Sequence, residues 1–441
     1  MAKPVFTYED ALSYLSSLET FGIKLGLERT EKLLAEFGNP HLKYKTMHVT
    51  GTNGKGSVCT MIAHVLAAAG YRVGLYTSPH ISDFRERIRI FDENGSHLID
   101  EKRVGSIMAR IRENAEKLGE MPTYFEAGTV LAFQYFAEQE LDFAVVEVGM
   151  GGRLDATNVI LPEVSVVTTI SLEHTAHLGK DVQSIAREKG GIIKEGKPLV
   201  TAAAGEALDA LKEICADRNA PLVHVGTDTK ADIKFQSRSH DSEGYYFDVF
   251  GTMDAYDELV TKMPGGYQTI NAATAIGAIE CLKRNGAMVP RQSIYDGIAS
   301  AIVPGRFEIV AENPKIVLDV AHNPQAAQAL AGTLRSMKKG KVHLVLGIMK
   351  DKDVKSIVRE LAGAADVIIA AKPKTHRAAE AQYVADAARE AGISAIVVED
   401  VRKALEYARF ISKPEDIVCV AGSFFTVGEV RALFARNKPP E

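Results

Sequence analysis

A short apolar strand, Met47-His48-Val49, runs directly into Thr50-Gly51-Thr52-Asn53-Gly54-Lys55-Gly56-Ser57 and then into an apolar helix, Val58 to Ala69, stopped by Gly70. Three glycines in six residues let successive N–H groups point into one hollow, and the helix behind adds the positive end of its dipole. That hollow fits a polyphosphate: Lys55 can reach the outer phosphates, and the Ser57 hydroxyl can take a place on magnesium. The stretch is not a strict Walker A sequence, having Val49 at the first glycine position and Gly56 between lysine and hydroxyl, and such a turn can also be a plain tight connection.

From Met47 onward short β runs alternate with helical stretches, as in an α/β chain with a largely parallel sheet. Strands are predicted at 46–50, 72–76, 143–149, 164–170 and 198–202, and the unbroken apolar run Phe143-Ala144-Val145-Val146 predicts burial on both faces. Before them come a helix with the stripe Ala11, Leu12, Leu15 and Leu18, capped by Thr7 and ended by Gly22, and a second helix carrying Leu33, Leu34 and Phe37. Between about Leu222 and Val260 the pattern changes, and 232–237 with 245–250 reads as an antiparallel hairpin attached to the parallel sheet. A helix from Asn271 to Cys281 and another ending near Ala301 follow. After Pro304-Gly305-Arg306 a second β/α series begins, with strands predicted at 315–320, 342–348, 366–371, 394–399 and 416–421.

At 441 residues the chain is long for one core. A boundary near 290–303 divides it into residues 1–296, a P-loop domain with a mostly parallel sheet plus a small antiparallel element, and residues 303–441, a Rossmann-like α/β domain. Ligands of such sheets sit beyond the carboxyl ends of the strands.

A net charge of -5 gives no basic field for a nucleic acid backbone, so small anionic ligands would need local positive sites. The four cysteines, Cys59, Cys215, Cys281 and Cys419, are far apart and have no metal-ligand spacing, as in a reduced cytoplasmic protein. The opening MAKPVFTYED has no apolar signal core, and no run approaches the roughly 20 apolar residues of a membrane span. Neither export nor membrane insertion is expected.

Glu147 closes the apolar strand ahead of Gly149-Met150-Gly151-Gly152-Arg153-Leu154-Asp155, a placement suited to a carboxylate beside phosphate and magnesium, although a strand-end glutamate can also be merely exposed. The strand from Val164 ends at Ser171-Leu172-Glu173-His174, which puts His174 on the same edge; a single histidine is more often structural, but here Glu147 and Ser57 occupy neighbouring strand tips. The charged cluster Arg187-Glu188-Lys189 interrupts an apolar helix start.

GTNGKGS, Thr77-Ser78-Pro79-His80, Glu147 to Asn158, Glu173 to Gly179, AREKGGIIK, Pro304 to Glu308 and Asp319 to Pro324 occur in that order, and together the chain resembles folylpolyglutamate synthases of the bacterial bifunctional dihydrofolate synthase type, in the Mur ligase superfamily. The resemblance covers nearly the whole chain. It implies ATP-dependent addition of L-glutamate to a folate or dihydropteroate carboxylate through an acyl phosphate, in a cleft between two domains that closes during catalysis. Gly51, Thr52, Asn53, Gly54, Lys55, Gly56 and Ser57 would then wrap the phosphates, magnesium would lie on Ser57 or Ser78 with Glu147, and His174 would hold a second metal. Lys189 matches the family's lysine that is carbamylated by carbon dioxide; freeing its amine of a proton would cost about 4.6 kcal/mol at pH 7 without help from its surroundings. Gly190 stands where relatives are expected to carry alanine, and Tyr267 where many carry histidine.

Asn271, Arg306 and Asp319 match ATP contacts, though Asn271 could serve as a helix cap and Arg306 as a surface turn residue. His322 and Ser423 resemble positions near incoming glutamate. The pterin end would lie against Gly26 to Arg29, including Glu28, against Pro122-Thr123-Tyr124-Phe125 and against Arg153-Leu154-Asp155, with Pro79 and His80 also near substrate; Phe125 is equally apt as core. A monomer is expected on the same resemblance. Two rivals remain open: a Mur-type ligase acting on a cell-wall precursor, and an ATP-binding switch without chemistry.

Overall fold

The computed structural model describes residues 5–22, 24–172, 178–240 and 244–435. His174 and the rest of 173–177 lie outside the described residues.

The first sheet is built from β1 (Lys45–Thr50), β2 (Val73–Tyr76), β3 (Ile88–Asp92), β4 (Gly95–Leu98), β5 (Phe143–Glu147), β6 (Val164–Val167), β7 (Leu199–Thr201), β8 (Leu222–Gly226), β9 (Ile233–His240), β10 (Tyr245–Phe250) and β11 (Ala255–Thr261). Their order is β11-β10-β9-β8-β7-β6-β1-β5-β2-β3-β4. From β9 to β2 every pairing is parallel, while β10–β11 at one edge and β3–β4 at the other run antiparallel. β1, buried from Thr46 to Thr50, therefore lies inside the sheet between β5 and β6, and the glycine-rich turn leaves from its carboxyl end.

Alternation along β5 explains why both faces are apolar. Phe143 and Val145 join the layer of helices Lys55–Ala68, Tyr267–Arg284 and Arg291–Ser300, whereas Ala144 and Val146 join the layer of Tyr8–Leu18, Glu101–Leu118 and Tyr124–Glu138. Thr7 caps the first helix in a reciprocal box with Asp10, as its position predicts.

The second sheet has the order β12-β13-β17-β14-β15-β16, with β12 (Glu308–Ala311), β13 (Lys315–Asp319), β14 (Val342–Leu346), β15 (Val367–Ala370), β16 (Ser394–Val397) and β17 (Ile417–Ala421). Only β12 runs antiparallel there. Apolar clusters cover both faces.

Several expectations change in detail: the strands predicted at 342–348 and 394–399 end at Leu346 and Val397, and the second helix ends at Ala35, before Phe37. The strand predicted at 164–170 stops at Val167, because Thr168 and Thr169 turn to the glycine-rich loop: Thr168 Oγ1 donates to Asn53 O at 2.7 Å and Thr52 N to Thr169 O at 2.8 Å. The strand predicted at 143–149 stops at Glu147. The helix predicted from Asn271 begins at Tyr267, so Asn271 lies inside it and is not its cap.

Candidate active site

The turn after β1 has the left-handed backbone its glycines allow. Gly51 has φ +148° and Gly54 φ +89°, and a Cβ at either would collide, at Gly51 with Thr168 Oγ1 and at Gly54 with Asn271 Oδ1. Asn271 is therefore pressed against the turn, its Nδ2 donating to Gln268 Oε1 at 2.9 Å. Lys55 opens the helix and folds back, Nζ donating to Gly51 O at 2.8 Å and Thr52 O at 3.1 Å. Ser57 is buried in the first turn.

Glu147 ends β5 beside this helix, in register with Val49 of β1. Its Oε2 accepts from Ser78 N at 3.0 Å, and a methyl on Gly56 would lie 3.7 Å from that oxygen. Burial pushes its carboxyl above the ordinary range, opposed by Lys55, the Ser78 N–H, Arg306 and Arg87. One buried carboxylate and a nearby hydroxyl form the sparse, hard-oxygen donor set that suits magnesium completed by substrate phosphates. Among the described residues no three His, Cys, Asp or Glu side chains gather as a metal cluster.

Lys189 is buried on the helix Val182–Gly190, and its Nζ donates to Gly51 O at 2.9 Å. It shares with Lys55, Gly149 and Gly151 a void of about 20 Å³ behind the turn. A Cβ on the following Gly190 would stand 2.5 Å from Ile214 Cδ1, so Ile214 occupies the space an alanine there would need.

The opposite wall comes from the second half. Asp319, at the end of β13, accepts from Ala321 N and from Phe307 N, both at 2.8 Å, and thereby holds the turn that carries Arg306. Burial raises the Asp319 carboxyl and the Arg306 charge pulls it back. The Arg306 guanidinium lies 5.6 Å from the centre of the Phe424 ring. His322 Nδ1 donates to Val320 O at 2.9 Å, leaving Nε2 as an acceptor; burial lowers its pKa to about 4. Ser423 is buried, its hydroxyl 2.8 Å from Thr426 Oγ1. The walls meet where Asn53 Nδ2 donates to Gln325 Oε1 at 2.6 Å and Asn323 Nδ2 to Asn53 Oδ1 at 3.0 Å.

Between the walls lies a cavity of about 760 Å³. It brings together Thr52, Asn53, Gly54, Lys55, Gly56, Ser78, Pro79, His80, Glu147, Arg306, His322 and Ser423 of the residues the sequence singles out. Its other end is lined by Tyr8, Leu12, Phe84, Tyr124 and Arg87. Arg87 Nε donates to His80 Nδ1 at 2.8 Å, its guanidinium lies over Phe84 and Tyr124, and His80 is lowered to about 4 by burial and this charge.

Other expected residues do not line this cavity and are engaged in the framework. Arg29 pairs with Glu126 at 2.9 Å, Thr123 caps the helix whose third residue is that glutamate, and Glu28 opens the helix Glu28–Ala35. Phe125 closes over Gly149, where a Cβ would meet its ring at 2.5 Å. Arg153 pairs with Glu188 at 3.0 Å. Asp155 accepts from Met150 N at 2.9 Å and from the Thr157 N and hydroxyl at 3.0 and 2.5 Å, so it anchors the glycine turn after β5. Arg87, Glu126, Asn323 and Gln325 carry little signal in the sequence: Arg87 in Phe84-Arg85-Glu86-Arg87 looks like a solvated charge, while the two amides sit within or beside the stretch Asp319 to Pro324.

Two α/β units facing each other across a phosphate-type turn have the organisation of Mur ligases: the Mur ligase middle domain matches residues 49–279, and the Mur ligase glutamate ligase domain residues 305–424. The chain is 37% identical to the dihydrofolate synthase/folylpolyglutamate synthase of Escherichia coli strain K12, over 95% of this chain and 93% of that protein. E. coli FolC in complex with DHPP and ADP superposes with a TM-score of 0.87 at 35% identity, over 97% of this chain and 98% of that one. A bifunctional folylpolyglutamate synthase/dihydrofolate synthase with Mn, AMPPNP and L-glutamate bound gives 0.84 at 33%, over 96% and 98%. The chain belongs to the dihydrofolate synthase/folylpolyglutamate synthase family of Mur ligases.

Proposed function

We propose that this cleft joins L-glutamate to the carboxylate of dihydropteroate, of a (tetrahydro)folylpolyglutamate, or of both, with cleavage of ATP to ADP and phosphate. A carboxylate does not expel oxide. Its oxygen therefore takes the γ-phosphoryl group, ADP leaves, the glutamate amine attacks the acyl carbon of the resulting acyl phosphate, and phosphate departs as the amine loses a proton. The observation that carries this reading is the convergence of Lys55 and Glu147 from one half with Arg306 from the other on one 760 Å³ cavity.

Within it, residues 51–57 and Asn271 cradle the nucleotide, with Asp319 holding Arg306 against the transferred phosphoryl group. Ser57 or Ser78 with Glu147 would hold magnesium, which when bound neutralises phosphate charge; a second ion is assigned to His174, which lies outside the described residues, and Lys189 is the residue that would be carbamylated. The neutral His322, with its free Nε2, and Ser423 face incoming glutamate. The flat heterocycle takes the aromatic end, with Pro79 and His80 in its wall and with Glu28, Arg29, Thr123, Phe125, Arg153 and Asp155 shaping the framework behind it. We assign residues 1–296 and 303–441 as the two domains. A monomer is proposed on the family resemblance alone.

No helix among the described residues is long and apolar enough to cross a membrane. The deciding experiment is mass analysis of products with ATP, glutamate and either dihydropteroate or tetrahydrofolate. ADP release that depends on both acceptor and glutamate, with a product heavier by one glutamyl residue, is expected; ligation only to a nucleotide-sugar peptide would reject the folate assignment.

A further inference from the structure

The two walls are joined at a second place, away from the glycine-rich turn. Ile81 of the first half enters a notch left by two glycines of the second: a Cβ on Gly305 would lie 2.6 Å from Ile81 Cδ1, and one on Gly428 2.5 Å from Ile81 O. Its side chain packs on the apolar cluster that contains Val320, Val427 and Val430. Beside this plug, Glu86 Oε2 accepts from Ile81 N at 2.8 Å, and Glu86 Oε1 stands 3.5 Å from Arg431 Nη1. Arg431 Nε in turn donates to Glu308 Oε2 at 2.9 Å, and the same oxygen accepts from Gly305 N at 2.8 Å. The three side chains are only 19–23% exposed, so their attraction is less screened than that of a surface pair.

Gly305 immediately precedes Arg306, and Phe307 immediately follows it. Phe307 has a left-handed φ of +48°, which a bulky residue keeps only when its surroundings hold it, and here Asp319 binds its N–H. The arginine is thus fixed on both sides by amides bonded to carboxylates. One carboxylate, Asp319, belongs wholly to the second half. The other, Glu308, is tied through Arg431 to Glu86 of the first half, so only this one can register whether the halves are together.

We propose that the Glu86–Arg431–Glu308 bridge, seated by Ile81 between Gly305 and Gly428, sets Arg306 over the site as the halves close, which makes Arg431 a positioning residue for phosphoryl transfer. This rests on the ligase reading given above. Parting of the walls withdraws Glu86 from Arg431, frees Glu308 and loosens the Gly305 amide. Nucleotide held by the glycine-rich turn and Asn271 of the first half then meets no placed Arg306, so binding and transfer are separated.

The test uses the full chain carrying Arg431→Met, Arg431→Lys or Glu86→Gln, with kcat from ADP release, AMPPNP affinity by calorimetry, and hydrogen exchange at the Gly305 amide. Arg431→Met should lower kcat roughly 10- to 100-fold, the scale of an ångström-sized misplacement, with nucleotide affinity within about twofold and faster exchange at Gly305. Arg431→Lys should recover much of kcat, and Glu86→Gln should move in the same direction as Arg431→Met. Wild-type kcat and unchanged Gly305 exchange in Arg431→Met would overturn the proposal, as would a loss carried entirely by nucleotide affinity. Should Arg431→Met melt below the assay temperature, Glu86→Gln decides on the same terms. Absence of acceptor-dependent turnover in the wild type would instead sink the ligase reading, and amide exchange would still decide the bridge.

Discussion

Gly54 and Gly70 share a backbone angle and differ in what surrounds them, which turns a pair of alanine substitutions into a measurement of the nucleotide site. Both have φ +89°, so each alanine variant should bear the same left-handed penalty of roughly 1–2 kcal/mol. Around Gly70 an added Cβ meets nothing within 4 Å, whereas at Gly54 it collides with Asn271 Oδ1 and lies 3.1 Å from Asn271 Cγ. To yield, Asn271 must give up its buried 2.9 Å bond to Gln268, a further cost of roughly 1–3 kcal/mol. Gly70→Ala should therefore lower the melting temperature by about 2–8 °C and leave nucleotide binding alone. Gly54→Ala should melt lower still and, because the extra strain falls on the turn itself, bind AMPPNP roughly 5- to 150-fold more weakly. Adding Asn271→Ala to Gly54→Ala removes the obstructing atoms and should restore part of the melting temperature but not the affinity. Equal melting losses in the two single variants, with wild-type nucleotide binding in both, would refute the contact between Asn271 and the turn.

Arg306→Lys keeps the charge but loses the planar fork, and should lower kcat by roughly 100- to 1000-fold with the melting temperature little changed; steady-state ADP release checks this. Because burial raises the Glu147 carboxyl, the free protein holds a proton there at a pH where an ordinary glutamate has lost it, so magnesium–nucleotide affinity should weaken as pH falls through that raised pKa, and binding should release a proton. Calorimetry in buffers of different ionisation enthalpy should show that release in the wild type and lose it in Glu147→Gln. Gly190→Ala alone should destabilise through overpacking against Ile214, while Gly190→Ala with Ile214→Val should regain stability, measured by thermal melting.

The parallel strands could be read from the sequence because burial on both faces makes them continuous apolar runs, and Glu147 because an acid that ends such a run is out of place in a core. The edges could not. β4, Gly95–Leu98, is exposed at all four residues and carries no apolar period, so its place is set by pairing with β3 alone. Thr168 and Thr169 continue the local strand pattern but are taken out of it by bonds to a loop more than 100 residues earlier. Arg87 and Arg431 gain their roles only when folding brings them against Tyr124 and Glu308, 37 and 123 positions away; locally each is a charge among charges. The resemblance could name residues such as Arg153 and Asp155, yet it could not say that one is paired with Glu188 and the other spent on holding a turn.

Charge also links the two halves at the cavity. The chain as a whole carries a net charge of -5, yet the cavity is lined by five cations, Lys55, Arg87, Arg306, Lys352 and Arg377, against three carboxylates, Glu19, Asp83 and Glu147, with His80 and His322 held neutral. The local field is thus opposite in sign to that of the molecule, which draws polyphosphate and carboxylate substrates into an otherwise acidic protein. Three of those cations, Arg306, Lys352 and Arg377, come from the second half, and Arg306 is felt both at Glu147 and at Asp319. Separating the halves would leave Glu147 with less opposing charge and the phosphate cradle with less attraction. Bringing them together would assemble the positive field and place Arg306 in the same movement, so a step that encloses the anions would also ready their reaction.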